Sequence, residues 1–283
     1  MSVSPEARNS LPDTGEISVF GAKLELLRCG SGRPILFLHP EAGIDPGAPV
    51  FNRLASQANL IAPSHPGFGA SDLLDGMSHI DDLAYSYLDF LEAFNLRDVT
   101  IVGVSFGGWI AAEMAIKSTA RISRLVLANA VGIKTGNRET RDIADIFALT
   151  EAQLAEHSFH DSAAGLRDFE HLPDDILRNI ARNREATARF GWVPYMHDPK
   201  LKGRLHRIDV PTLLLWGESD QIVKSDYGRA YCAAIPGARF DLIERAGHAP
   251  HIEQPDIFAG KVIDFMNEAG PIHKNLIRCR ESA

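Results

Sequence analysis

The chain is poor in the features that would place it in several broad classes. It has three cysteines in 283 residues, Cys29, Cys232 and Cys279, an odd number without regular spacing. They fit no metal-ligand pattern and point to small buried or tail residues in a reducing compartment, hence a cytoplasmic protein. No apolar run approaches the roughly 20 residues that a membrane helix needs. The start, Met1-Ser2-Val3-Ser4-Pro5-Glu6, lacks a basic segment followed by an apolar core, so no signal peptide is expected. Positive charge is in deficit: 29 Lys and Arg stand against 37 Asp and Glu, a formal net charge of -8. That argues against nucleic acid or an anionic membrane as the main partner, since both attract basic patches. There is no internal repeat and no low-complexity tract. What remains is ordinary globular composition, 45% hydrophobic and 23% charged. The length suits one large α/β domain with an insertion, or two small domains.

One stretch stands out, Val99-Thr100-Ile101-Val102-Gly103-Val104-Ser105-Phe106-Gly107-Gly108-Trp109-Ile110-Ala111-Ala112-Glu113. It begins as a β-branched run, which reads as a buried strand, and ends alanine-rich and apolar, which reads as a helix. Between them lies Gly103-x-Ser105-x-Gly107-Gly108, the pattern of a nucleophile elbow. The glycines let strand and helix approach where a Cβ would not fit. The turn is expected to strain the serine backbone and push its hydroxyl into the open. A chain of this length shows G-x-S-x-G by chance about one time in ten. The motif therefore needs a base and an orienting acid from elsewhere in the chain.

Residues 1–15 are polar, with Pro5, Pro12 and Gly15, and are expected to form a loosely held N-terminal arm. Residues 16–20 and 23–29 alternate as two strands joined at Gly21-Ala22. Short apolar runs at 34–38 and 60–62 read as buried strands, with a helix at 50–58 between them. Residues 79–95 form an amphipathic helix with Ile80, Leu83, Ala84, Tyr87, Leu88 and Leu91 on one face. Further strands are expected at 124–129, 210–216 and 239–243, and further helices at 225–235 and 255–268. Strands alternating with helices imply an α/β fold, an eight-stranded, mostly parallel sheet with helices on both faces. From about 132 to 207 no strand-like run occurs, and Pro173 and Pro194 break the pattern. This segment reads as a helical insertion, a cap on a core made of 16–131 and 208–270. Residues 271–283 read as a polar C-terminal tail.

Ligands of open parallel sheets bind outside the carboxyl ends of the strands. Ser105, Asp220 in Gly217-Glu218-Ser219-Asp220, and His248 in Ala246-Gly247-His248-Ala249-Pro250 each follow an expected strand. All three would reach the same edge. Serine alone is a poor nucleophile at neutral pH: an imidazole must take its proton, and a carboxylate must hold that imidazole in the right tautomer. Ser105 is the candidate nucleophile, His248 the base and then the acid, and Asp220 the orienting group. The rival for Asp220 is a helix N-cap or turn role, and the rival for His248 is nearby His251. His157, His160, His171 and His197 form no ligand-like cluster, so neither a metal nor another cofactor is expected. Trp109 and Trp192 are candidates to line a pocket, with core packing as the alternative.

Taken together these blocks resemble the α/β-hydrolase superfamily, in its branch with a helical cap. The resemblance covers roughly residues 16–268. It rests on Leu36-Phe37-Leu38-His39 with Gly43, on Pro66-Gly67-Phe68-Gly69-Ala70-Ser71, on the elbow, on Pro211-Thr212-Leu213-Leu214-Leu215-Trp216-Gly217 with Asp220, and on Gly247-His248-Ala249-Pro250 with Glu253 and Pro255. The order Ser, Asp, His is the triad order of that fold. The resemblance also implies an oxyanion hole of two backbone N–H groups, one from the residue after the nucleophile, Phe106, and one from the loop after His39. Pro40 replaces the usual glycine there and has no N–H, which leaves Glu41. The Glu41 side chain is unusual at this point. Its expected state is a solvated loop carboxylate, with binding of a polar substrate group or an effect on His248 as the alternative. His39 is expected to support this loop and is a further candidate to line the pocket; His65 is expected to be structural. Some relatives carry the acid near residue 129, where Asn129 cannot ionise, and this favours Asp220.

The resemblance leaves the reaction open. Haloalkane dehalogenases and epoxide hydrolases of this fold use an aspartate nucleophile, which Ser105 argues against. Serine fits hydrolysis of a small-molecule carboxylic ester, lactone or thioester through an acyl-enzyme. It also fits carbon–carbon bond hydrolases of ring-cleavage products or β-diketones, and His206-Arg207-Ile208-Asp209-Val210-Pro211 looks like their junction between cap and core. Those enzymes often carry Asn before the nucleophile and Trp after the catalytic His, where this chain has Val104 and Ala249. Ester-type hydrolysis is therefore expected first, carbon–carbon hydrolysis second, and a non-catalytic small-molecule receptor third. The expected partner is a small-molecule substrate, and association into a homo-oligomer is left open. The charged cap residues Arg138, Arg141, Asp142, Asp145, Arg182, Arg184 and Arg189 are expected on a solvated face. One arginine turned inward would imply a carboxylate-bearing substrate.

Overall fold

The computed structural model describes residues 14–269 except 20 and 138. Most of the expected arm, the tail 271–283, Phe20, Arg138 and Cys279 lie outside the described residues. The strands are β1 (Thr14–Val19), β2 (Ala22–Cys29), β3 (Pro34–Leu38), β4 (Asn59–Pro63), β5 (Val99–Val104), β6 (Ile122–Ala128), β7 (Thr212–Gly217) and β8 (Arg239–Ile243). They form one sheet in the order β1-β2-β4-β3-β5-β6-β7-β8. β2 pairs antiparallel with both β1 and β4, and every later pairing is parallel. The expected strand at 210–216 begins two residues late, at Thr212, because Pro211 has no N–H to give the ladder.

The helices are α1 (Pro49–Ala55), α2 (Ile80–Ala93), α3 (Phe106–Lys117), α4 (Glu151–Ser158), α5 (Ser162–Gly165), α6 (Asp174–Gly191), α7 (Leu201–Arg204), α8 (Ser225–Ala233), α9 (Pro250–Glu253) and α10 (Pro255–Asn267). Strands β3 to β7 are buried on both sides because the sheet is covered there on both, whereas β2 alternates buried and exposed residues. Successive residues feed opposite cores. Leu36, Leu38, Ile101, Leu125, Leu127, Leu214 and Trp216 pack in one, with residues of α2, α3 and α8. Ile35, Phe37, Val102, Val104, Val126, Leu213 and Leu215 pack in the other, with residues of α1 and α10. α3 is buried at every position from Phe106 to Ile116, which explains its lack of a polar face. The short α9 has no counterpart in the sequence reading; Pro250 stands in its first turn, a position where proline suits a helix start.

Residues 132–207 add no strand to the sheet. They carry α4 to α7, a 3-10 turn at Leu205–Arg207 and one isolated bridge, Gly132 to His197. α6 is fastened over the carboxyl edge by polar side chains. Asn183 donates to the Ala42 carbonyl at 2.8 Å and accepts from the Gly69 N–H at 2.9 Å. Arg182, expected on a solvated face, donates to the carbonyls of Gly67 and Ser71.

The chain passes from β3 to β4 on one side and then to β5 on the other. β3 is therefore the switch point of the sheet, where a crevice opens outside the strand ends. Leu38 of β3 lies opposite Gly103 of β5. The loop after β3 and the turn after β5 thus leave the sheet side by side. A Cβ on Gly107 would stand 2.1 Å from the Leu38 carbonyl oxygen, and one on Gly103 would stand 2.5 Å from the Gly107 carbonyl oxygen. Both obstacles are backbone, so no side chain can turn aside. Gly107→Ala is expected to lower stability by about 1–3 kcal/mol. The measurement is a urea titration, with a lower midpoint at unchanged slope.

Candidate active site

Ser105 sits between β5 and α3 with φ +49° and ψ -112°, a conformation rare outside glycine and of the kind found at functional sites. Its N–H donates to the Ala128 carbonyl at 2.9 Å, which ties the turn to β6. The Oγ lies 2.8 Å from Nε2 of His248, and Nδ1 of His248 lies 2.8 Å from Oδ2 of Asp220. The structure thus brings all three expected residues into one buried chain of contacts.

Asp220 is met on every side by donors. Its Oδ1 accepts the N–H groups of Ile222 at 2.8 Å and Val223 at 3.0 Å. Its Oδ2 faces His248 and also accepts from Nδ2 of Asn129 at 2.5 Å. Asn129 is fixed in turn, because its Oδ1 accepts the Gly217 N–H at 3.2 Å. In the sequence alone Asn129 serves only to exclude a rival acid. The signal that it is a partner of Asp220 lies in the pairing of β6 with β7, which sets their carboxyl ends side by side.

His248 is held from behind. Its N–H donates to the Ser158 carbonyl at the end of α4 at 2.6 Å. The Glu253 carboxylate accepts the N–H groups of Gly247 at 2.6 Å and His160 at 2.7 Å, and so joins the histidine loop to the segment after α4. Burial disfavours a charged His248, but the Asp220 charge, its hydrogen bond and the Glu41 charge outweigh it, and the imidazole is raised above its ordinary pKa.

Glu41 departs from expectation. It is not a solvated loop carboxylate: it is half-buried, and its Oε2 accepts from Ser105 Oγ at 2.8 Å. Ser105 has one proton and two acceptors within reach of it. Beside this group lies a cavity of about 360 Å³ between the sheet edge and residues 132–207, walled by Phe37, Phe51, Phe147, Phe159, Thr187, Arg167 and Arg184 among others. Glu41 and His248 belong to that wall, whereas Ser105 does not and is fully buried. The hydroxyl expected in the open is therefore covered by the two groups that touch it.

The other expected pocket residues lie away from this cavity. His39, Trp109 and Trp192 are absent from the wall of this cavity. His39 is buried beneath the loop; its Nε2 accepts the His65 N–H at 2.8 Å and its Nδ1 donates to the Pro40 carbonyl at 2.6 Å. It stacks on His65 at 3.6 Å, and burial pushes His39 down to about 4 and His65 well below its ordinary value. The two rings are a neutral plinth for Pro40 and Glu41. Trp109 is in the core against Phe106. Trp192 is half-exposed behind Phe147 and borders a different recess. His251 does line the cavity, but burial and neighbouring His248 push it down to about 3 and its Nδ1 has no partner, so it is a neutral wall residue.

Phe106 opens α3, so its N–H has no acceptor within the helix and points with the positive end of the helix dipole. Glu41 lies in the turn closed by Gly43 N–H to the Pro40 carbonyl at 3.0 Å. These are the two backbone positions the sequence named for anion binding. Among the described residues no group of three or more His, Cys, Asp or Glu is placed to hold a metal ion. No helix among them is long and apolar enough to cross a membrane.

A model of the alpha/beta hydrolase family matches residues 35–261. A 2-hydroxymuconate semialdehyde hydrolase of Pseudomonas sp. strain CF600 is 28% identical over 93% of this chain and 97% of its own. A putative 2-succinyl-6-hydroxy-2,4-cyclohexadiene-1-carboxylate synthase of Bacillus subtilis is 26% identical over 82% of this chain and 89% of its own. Among solved structures, a meta-cleavage product hydrolase from Pseudomonas fluorescens IP01 superposes with TM-score 0.73 at 21% identity, covering 91% of this chain and 99% of that one. A thermophilic esterase from Thermogutta terrifontis superposes with TM-score 0.67 at 20% identity, covering 89% and 96%. At these identities the structural likeness shows the fold alone.

Proposed function

Because the chain belongs to the alpha/beta hydrolase family, we propose that it is a serine hydrolase that cleaves a small-molecule carboxylic ester, lactone or thioester through an acyl-enzyme. The observation that carries this reading is the unbroken line of contacts from Ser105 Oγ through His248 to Asp220, 2.8 Å at each step. Oγ attacks the carbonyl carbon while His248 Nε2 takes its proton. Asp220 keeps the other ring nitrogen as a donor and stabilises the imidazolium. The N–H groups of Phe106 and Glu41 receive the oxyanion, a contact of the kind whose loss costs about 10²–10³ in rate. His248 returns the proton to the leaving group, and a water then repeats the sequence on the acyl-enzyme. Residues 132–207 act as the cap, and their side chains over the cavity select the substrate.

Two observations favour a second reading, hydrolysis of a carbon–carbon bond in a ring-cleavage product. The first is the activity named for several relatives. The second is the presence of Arg167 and Arg184 on the cavity wall, where a carboxylate can dock. Against it, Arg184 already pairs with Glu151 at 3.3 Å, and the group beside Ser105 is itself a carboxylate. A substrate carboxylate in this cavity meets the like charge of Glu41, a repulsion that grows as the two approach. The ester reading therefore stands first.

The test is a panel with the purified protein: 4-nitrophenyl acetate and butanoate, a γ-lactone, and 2-hydroxymuconate semialdehyde, compared by kcat/KM. A burst of nitrophenol followed by steady turnover is expected. Faster turnover of the semialdehyde than of any ester would put the second reading first. No turnover and no labelling by a fluorophosphonate would leave a receptor.

A further inference from the structure

The hydrolytic cycle uses the Glu41 N–H and leaves its side chain unexplained. That side chain is costly where it stands. Its Oε2 holds the Ser105 hydroxyl at 2.8 Å, and the same proton must pass to His248 Nε2 for attack. Its negative charge then faces the oxyanion that forms on the carbonyl bound at Ser105. Among the described residues Glu41 has no Lys or Arg partner. The charged and titratable groups around it form no ion pair with it: His248 must be neutral to act as base, Tyr195 is held un-ionised by burial, Arg184 is committed to Glu151, and Arg167, on the same cavity wall, makes no ion pair with Glu41. Asp45 stands on the same wall and adds a second negative charge.

These costs vanish if the missing cation arrives with the substrate. We propose that the Glu41 carboxylate is a specificity-determining residue that binds a protonated amine on the acyl part of the substrate, one or two carbons from the scissile carbonyl. The reach follows from contact. Oε2 touches Oγ, and Oγ bonds to the carbonyl carbon, so a group one or two carbons beyond that carbon lies beside the carboxylate. Glu41 covers the nucleophile and separates it from the cavity. An ammonium group draws the carboxylate off Ser105, frees the hydroxyl for His248, and stands between Glu41 and the oxyanion. The chain's net charge of -8 favours the approach of such a cation. The proposal rests on Ser105 being the nucleophile.

The experiment compares isosteric acyl pairs in wild type and Glu41→Gln. The pairs are 4-nitrophenyl β-alaninate with butanoate, and glycinate with propanoate, in which ammonium replaces methyl. Fluorophosphonate labelling of each protein is read in parallel. A charge-assisted contact of this kind is worth about 10- to 100-fold in kcat/KM. Glu41→Gln is therefore expected to lower the ratio of amine ester to neutral ester by about that factor, chiefly through KM of the amine. It is also expected to raise kcat on the neutral ester. With the Glu41 charge gone, His248 loses one of the influences that hold it protonated. The acid limb of kcat/KM for the neutral ester then moves to lower pH, since the base must be neutral to act. An unchanged ratio in a variant that still labels would overturn the role of Glu41 and leave Ser105 standing. Absence of labelling in the wild type would overturn both. If Glu41→Gln folds poorly, Glu41→Asp supplies the second variant: the charge remains but is withdrawn by one methylene, and an unchanged ratio there overturns the contact.

Discussion

Ser105→Ala is expected to lower kcat by about 10⁶-fold and to abolish labelling by a fluorophosphonate, with the fold retained. The size of the loss follows from the arrangement. Ser105 Oγ is the only point at which the His248–Asp220 pair can act on a substrate, because His248 Nε2 reaches no other hydroxyl among the described residues. Without Oγ the two backbone N–H groups and the cavity still bind and polarise a carbonyl, which accounts for residual catalysis over water of about 10³–10⁴. The variant keeps its structure for local reasons. The Ser105 N–H bond to the Ala128 carbonyl and the carbonyl bonds to Gly108 and Trp109 are all backbone and survive the change. Losses of this kind do not add. A double variant, Ser105→Ala with His248→Ala, is expected to be no slower than Ser105→Ala alone within a factor of a few. Turnover near the wild-type level in Ser105→Ala would end the assignment of the nucleophile.

The residues of this line were legible because each obeys a local rule. Ser105 follows a β-branched run and precedes an apolar helix, with glycines at 103 and 107 that only a backbone contact demands; the Leu38 carbonyl supplies that contact. Asp220 follows the continuous apolar run of β7, and His248 follows the short strand β8. What escaped depends on contacts between strands distant in sequence. That Glu41 reaches Ser105 follows from β3 lying beside β5 with Leu38 opposite Gly103, a register no local pattern encodes. Asn129 as a partner of Asp220 follows in the same way from β6 beside β7. The tryptophans misled for a different reason. Trp109 belongs to a helix buried on all sides, so no polar face says which side meets the pocket. Trp192 lies past the end of α6, where direction is set by the fold of residues 132–207 and not by a period. Arg182 looked like solvated charge because its partners, the carbonyls of Gly67 and Ser71, are backbone atoms of a loop more than a hundred residues away.

Asp220→Asn is expected to lower kcat by about 10⁴-fold, and the hydrogen bonds around the position say why. An asparagine there has one acceptor oxygen and one NH₂ group to place. The Oδ1 side faces two buried backbone donors, the N–H groups of Ile222 and Val223. Turning NH₂ toward them would leave two buried donors unmet, at about 1–3 kcal/mol each. The oxygen therefore stays on that side, and NH₂ takes the place of Oδ2. It then faces His248 Nδ1 and Nδ2 of Asn129. The clash with Asn129 is a single one, and Asn129 resists turning over because its own oxygen accepts the Gly217 N–H. Facing an NH₂ donor, His248 Nδ1 must become the acceptor, so the ring proton moves to Nε2. A histidine with its proton on Nε2 cannot take one from Ser105. The overall geometry persists while the base is switched off, so kcat falls and fluorophosphonate labelling slows in step with it. The positive charge on His248 also loses the Asp220 carboxylate that favours it, so the acid limb of the remaining activity moves to lower pH. A near-normal rate in Asp220→Asn would mean that the group orienting His248 lies elsewhere.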